Sequence, residues 1–318
     1  MEKMKKRGKA VVVVIMVLLA SMTFTSVVGM KEHSIDAGKN YEVNKLSKCL
    51  EDAVIAYNEA VTEGRLKDAW GYVEKIDQII TELEALGMEV EFTMTSENQG
   101  MLPATVSASV RPATEQNRPR RRSISASEEQ LEMINLLVGQ NITIGEFMEK
   151  VFPEVLEDMP EEIAKNLYAT EMIWPSSSEP LKGENQSQAV VTKAFKPASE
   201  RTEVQPKFII LVIHASYMDP EWPNIDFGSW SRVVLPHPWY RLPYMAVSSS
   251  LWYEGNEIVD IEFEDGENAY KVEASGSYSA KKAGNYSVIG VHWGEYPPGY
   301  YPPAYLYTTQ TDEVYVGP

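Results

Sequence analysis

From Phe208 to the C-terminus the chain breaks into short apolar and aromatic runs separated by turn residues. No other feature constrains the fold as tightly. The runs are Phe208–His214, Met245–Tyr253, Ile258–Glu264, Tyr270–Tyr278, Tyr286–Trp293, Tyr305–Thr309 and Val314–Val316. Gly255-Asn256, Asp265-Gly266 and Ala283-Gly284 punctuate them. β-Branched and aromatic side chains suit a pleated, half-buried surface. Such runs spaced ~10 residues apart predict an antiparallel sandwich. The segment carries thirteen of the seventeen Tyr and five of the seven Trp, so its core is expected to be rich in rings.

Within it, Ala283-Gly284-Asn285-Tyr286-Ser287-Val288 resembles the start of the F strand of immunoglobulin-like domains. The resemblance implies an Ig-like β-sandwich over residues 207–318. It also implies that the Tyr286 hydroxyl folds back onto the backbone at a corner. Val288 stands where an antibody domain has Cys. The chain's single cysteine, Cys49, leaves no inter-sheet disulfide to form.

Upstream the apolar period changes from two to about 3.6. Val43, Leu46, Leu50, Ala53, Val54, Tyr57 and Val61 recur at helical steps, as do Leu66, Ala69, Trp70, Val73, Ile76, Ile80 and Leu83. Gly64 and Gly87 sit where helices close in the left-handed conformation. Residues 30–94 are therefore expected to form a helical hairpin. Residues 128–174 form a second, acidic helical segment, opened by capping-box spacings at Ser127/Gln130 and Thr143/Glu146. Residues 95–127 and 175–206 lack periodicity and are expected to be linkers. The expected whole is multidomain, α then β: a helical hairpin or bundle followed by an Ig-like sandwich.

The first 29 residues read as a signal peptide or an N-terminal anchor. Lys3, Lys5, Lys6, Arg7 and Lys9 precede an unbroken apolar run, Ala10 to Ala20, and then small residues up to Gly29. In either case the remainder is expected to be extracellular or on the outer face of the cytoplasmic membrane, because the cations stay inside. A membrane is met only through this segment, if it stays uncleaved. The formal net charge of −17 argues against a nucleic-acid partner, since phosphate binding needs a basic face. The basic cluster Arg118-Pro-Arg120-Arg121-Arg122 has three readings: a protease processing site, a contact with acidic surfaces, or a solvated linker. Charge runs are usually solvated.

The search for chemistry yields no catalytic motif, no metal site and no cofactor. No nucleophile elbow, Cys–His pair or phosphate loop is present. His214, His237 and His292 lack the spacing of zinc motifs. Asp260 to Asn268 fails the EF-hand pattern, with Asp265 at the sixth position and Lys271 at the twelfth. An enzyme is disfavoured, although a secreted hydrolase using scattered carboxylates would show no motif. The segment best suited to binding is the aromatic–proline stretch containing Trp293, Tyr296, Tyr300, Tyr301 and Tyr305. Its Pro-Pro pairs stiffen the backbone, and its rings offer flat faces with polar edges. The expected function is a non-enzymatic extracellular interaction module meeting a protein or glycan at the cell surface. The alternative is a carbohydrate-binding accessory protein.

Overall fold

The computed structural model describes residues 37–94, 104–114, 121–157, 159, 161–172, 174, 189–190, 210–300 and 303–318. Residues 1–29, expected from the sequence to be a signal peptide or anchor, the start of the basic cluster (Arg118 to Arg120) and Tyr301 lie outside the described residues, as do most of 175–206. The chain divides into two compact units. One holds the described residues up to Thr93 together with Ser107–Thr114; the other holds the rest.

The first unit is the expected hairpin with a small sheet added. Helix α1 (Ala37–Thr62) and helix α2 (Leu66–Ala85) are followed by strands β1 (Met88–Met94) and β2 (Val106–Pro112), which pair with each other. Leu50, Tyr57, Val73, Ile76, Ile80 and Leu83 bury the shared stripe. Gly64 and Gly87 both adopt φ of +74°, which closes each helix without the cost a Cβ would incur. Leu66 and Trp70, read from the sequence as part of the apolar stripe, are exposed, and Ile79 is buried in their stead. Cys49 is free and half-buried.

In the second unit a central antiparallel sheet is covered on both faces. After β3 (Arg121–Ser125) come four helices: α3 (Glu128–Leu137), α4 (Ile144–Val151), α5 (Pro153–Glu157) and α6 (Glu161–Tyr168). Both expected capping boxes are formed, Ser127 with Gln130 and Thr143 with Glu146. The short β4 (Ala189–Val190) precedes eight strands: β5 (Leu211–Glu221), β6 (Asn224–Leu235), β7 (Leu242–Tyr253), β8 (Glu257–Ala269), β9 (Lys271–Ser279), β10 (Gly284–Glu295), β11 (Ala304–Gln310) and β12 (Val314–Val316). One sheet runs β3-β8-β7-β10-β11-β4, with β12 pairing the first residues of β10. The other runs β5-β6-β9.

Alternation along the strands assigns the two faces. Tyr244, Ala246, Phe263, Ile289 and Trp293 face α3–α6 and share one core with Ile134, Phe147, Met148, Val151, Phe152 and Val155. Met245, Val247, Leu251, Tyr286 and Val288 face the three-stranded sheet. Because both faces are buried, β7 reads as a nearly continuous buried run, the pattern of a doubly covered sheet.

Two expectations are corrected here. Residues 95–127 are not all linker: they supply β2 and β3. Residues 128–174 are not a segment apart, since their apolar faces are buried against the sheet. The solvated reading of the basic cluster also fails at Arg122. Its guanidinium holds both oxygens of the Asp265 carboxylate, at 3.2 and 2.9 Å, and donates to the Glu154 carbonyl at 2.8 Å. Asp265 also accepts from the Tyr244 hydroxyl at 2.9 Å. A buried carboxylate with three such donors is fully partnered, which ties β3 to the sheet edge.

At the start of β10 the Tyr286 ring is buried and its hydroxyl donates to the Lys282 carbonyl at 2.8 Å. Replacing Tyr286 by Phe keeps the ring packing and leaves that carbonyl short of a donor. The expected loss is about 1–2 kcal/mol in denaturant unfolding. A Phe variant as stable as the parent would show that the corner bond contributes nothing.

Candidate functional site

Three chain connections meet at one end of the sandwich. The β6–β7 loop spans 236–241, the β8–β9 corner 268–270, and the β10–β11 loop 296–303. Register places them together: Leu242 pairs with Ala269, and Glu295 pairs with both Tyr244 and Ala304. The β10–β11 loop closes through the Tyr296 N–H donating to the Pro303 carbonyl at 2.8 Å. Gly299, at φ +94°, supplies the left-handed step at its tip.

The five residues singled out from the sequence do not lie on one face. Trp293 is buried beneath the helices. Tyr305, next to the Leu306 that pairs with Trp293, is buried on the opposite face of the sheet, between the two sheets. Tyr296 and Tyr300 are half-buried at the loop, stacked at 6.0 Å and 27°. Tyr301 lies outside the described residues. Tyr296, Tyr300 and Tyr305 thus form one aromatic series, since Tyr296 and Tyr305 are 5.7 Å apart. Burial raises the Tyr296 hydroxyl to about 12 and holds Tyr305 protonated as well.

The neighbouring β6–β7 loop was missed as a site. Pro236-His237-Pro238-Trp239-Tyr240-Arg241 is a second aromatic–proline stretch, and that composition was a readable signal. Trp239 and His237 are buried and Tyr240 is half-buried. Arg241 lies over the Tyr270 ring at 5.7 Å and donates to the Asn268 carbonyl at 3.0 Å, fixing the loop to the β8–β9 corner.

Behind this end a polar layer crosses the interior of the sandwich. His214 Nδ1 and His292 Nδ1 both meet the Ser231 hydroxyl, at 3.0 and 2.9 Å. His292 Nε2 meets Thr309 Oγ1 at 2.7 Å. Thr309 meets Ser216, and Ser216 meets Ser229 at 2.7 Å. Ser229 donates to Ser249 at 3.0 Å. Gly290 makes the space: a Cβ there would stand 2.6 Å from the hydroxyl oxygens of Ser216, Ser229 and Thr309. Two of the three histidines therefore meet, while His237 packs against Trp239 and Tyr240.

Burial holds all three imidazoles neutral, with His214 and His237 lowered to about 4 and His292 lowered further by the neighbouring His214. Ser231 and His292 have no exposed surface, so this serine is a link in a network rather than a reachable nucleophile. A layer of hydrogen-bonded polar groups fixes register, because a one-residue slip would break every bond in it at once, although His214 Nε2 has no partner among the described residues.

Among the described residues no group of three or more His, Cys, Asp or Glu side chains is arranged to hold a metal ion. No helix among them is long and apolar enough to cross a membrane. Asp260 to Asn268 lies within β8 and its downstream end, where Asp265 is engaged by Arg122 and Tyr244. The chain matches no family model, no curated protein and no solved structure.

Proposed function

We propose that this chain is a secreted or outward-facing surface protein acting as a non-enzymatic interaction module, with an immunoglobulin-like C-terminal sandwich. The fold reading is supported by strand order. β5-β6-β9 opposite β8-β7-β10-β11 corresponds to A-B-E opposite C′-C-F-G, with β8 joining the C strand's sheet as C′ does in variable-type domains. In that scheme β10 is strand F, and Tyr286 stands at its start with its hydroxyl bonded four residues upstream. β3, β4 and the helical layer are additions to the scheme.

The observation that carries the functional reading is the convergence of two aromatic–proline loops at one end. By strand order they are the B–C and F–G loops, two of the three with which variable domains meet antigen. Rings on a stiff backbone lose little conformational freedom on binding. The partner class is a protein at the cell surface. The stacked pair Tyr296 and Tyr300 favours a second reading, a glycan whose sugar ring lies on an aromatic face.

The test is binding of the labelled full chain to the surface of the cells that export it, before and after enzymatic deglycosylation. Changing Tyr300 and Tyr301 to Ala is expected to weaken binding by about tenfold or more, as loss of central aromatic contacts does. The thermal midpoint should stay unchanged. Undiminished binding by a folded double variant would place the site elsewhere. Loss of parent binding after deglycosylation would select the glycan.

A further inference from the structure

Between the helical layer and the central sheet lies an apolar cavity of about 50 Å³. Its floor is Tyr244, Ala246, Ser248, Phe263, Val291, Trp293 and Leu306 on the sheet. Its roof is formed by α4 and α6 with Phe152, Met159 and Met172 from the segments beside them. The cause of the gap is readable in the strands. Ala246 pairs with Trp293 and Ser248 with Val291, so two small side chains stand side by side where the facing strand carries a ring and a branched chain. Three methionines, Met148, Met159 and Met172, line the roof. Thioether chains are unbranched and adapt to what they cover.

One residue that lines this cavity carries a buried donor with no partner among the described residues. Trp293 is only 7% exposed, and its indole N–H has no hydrogen-bond partner among the described residues. Two other indoles packed in the same core are satisfied: Trp252 donates to Ser250 at 2.8 Å and Trp174 to the Gln140 carbonyl at 2.7 Å. A buried donor left unpaired is costly, and native interiors seldom carry one without cause.

We propose that this cavity is a binding site for a small neutral apolar molecule bearing one hydrogen-bond acceptor, a ketone, ester or alcohol, whose oxygen takes the Trp293 N–H. The apolar lining excludes a charged head group, since no ion in the cavity wall would offset its desolvation. The size sets the class as well. A water-sized group needs ~10–15 Å³, so the cavity holds roughly four of them, a short chain rather than a drug-sized ligand. The site lies on the helix-covered face of the sheet, opposite the polar layer, and is independent of the loop end proposed for partner contact.

The experiment uses the full chain with nitrogen-15 in its tryptophans, which gives seven indole signals. The Trp293 signal is identified by its loss in Trp293→Phe. Diethyl ketone is the probe with an acceptor. Butyl chloride, of similar size, is the probe without a good one. Diethyl ketone should shift the Trp293 signal saturably and bind about tenfold tighter than butyl chloride, the value of one net hydrogen bond. Trp293→Phe, followed by its methyl signals, should lose the preference for the ketone, since its oxygen would then be buried without a donor. Ala246→Leu, which fills the floor and keeps the indole, should abolish the shift. No saturable shift at Trp293 would overturn the proposal, because the cavity would then be filled by the chain itself. Equal affinity of the two probes for the parent chain would overturn the role of the N–H.

Discussion

A shortened chain of residues 204–318, which keeps β5 to β12 and loses β3, β4 and α3–α6, is expected not to fold stably. Polar linker composition around 175–206 argues at first for an independent C-terminal domain. The packing argues otherwise. Tyr244, Trp252, Ile258, Ile261, Phe263, Ile289 and Trp293 are buried in one core with the helices. Each large apolar side chain stripped of cover forfeits roughly 1.5–3 kcal/mol. Six or seven of them together match the ~5–15 kcal/mol by which a whole domain is stable. Removing Arg122 also leaves the Asp265 carboxylate buried without its cation. The shortened chain should bind a hydrophobic dye and melt without cooperativity, while residues 121–318 melt as the parent does. A cooperative melt of 204–318 at the parent midpoint would show that the helical layer is dispensable.

The second large effect is on pH dependence. His214 and His237 are lowered to about 4 in the folded chain, and burial also holds His292 well below the ordinary imidazole value of about 6.5 that applies when unfolded. The unfolded chain therefore binds protons between pH 6.5 and 4 that the folded chain refuses. Their contribution is complete above about 6.5 and is lost as pH falls through that window. It amounts to on the order of 3 kcal/mol for each of His214 and His237. Asp260, Glu262 and Glu264 work in the opposite sense, since burial raises all three and the folded chain takes up their protons first. The histidine shifts are the larger, so net stability should decline from pH 6.5 to 4. Urea titrations at steps across that range measure the slope, and His214→Asn should remove about one proton's share of it. A midpoint that holds level or rises towards pH 4 would mean that the imidazoles are reached by solvent.

The sequence was legible where polarity and burial agree. The helices, their capping boxes, the closing glycines and seven strand segments follow from ordinary periodicity, and Tyr286 makes the corner bond its local pattern implied. It was illegible where the interior is polar. Strand β6 was missed because Ile225, Phe227 and Val233 hold the inward positions at its ends while Ser229 and Ser231 hold them in the middle. Two buried serines erase the alternation by which a strand is recognised. Among the loop residues, Tyr296 and Tyr300 stand at the surface end. Trp293 and Tyr305 lie inside because they belong to the strands on either side, and composition does not tell a loop ring from a strand ring. The cavity was equally hidden: Ala246 and Ser248 become informative only once they face a large roof.

The pairing of β3 with β8 also governs how the molecule must be assembled. Arg122 and Asp265 are 143 residues apart in sequence, so the edge strand and the helices that follow it leave the ribosome long before the sheet that covers them exists. Contacts of such separation close slowly, and apolar faces waiting for them are open to aggregation. A chain translocated with its N-terminus first would spend that interval with Phe147, Met148, Val151 and Phe152 uncovered. Its productive maturation would then be set by a holding chaperone and by the rate at which the last strands arrive, rather than by the final stability of the fold.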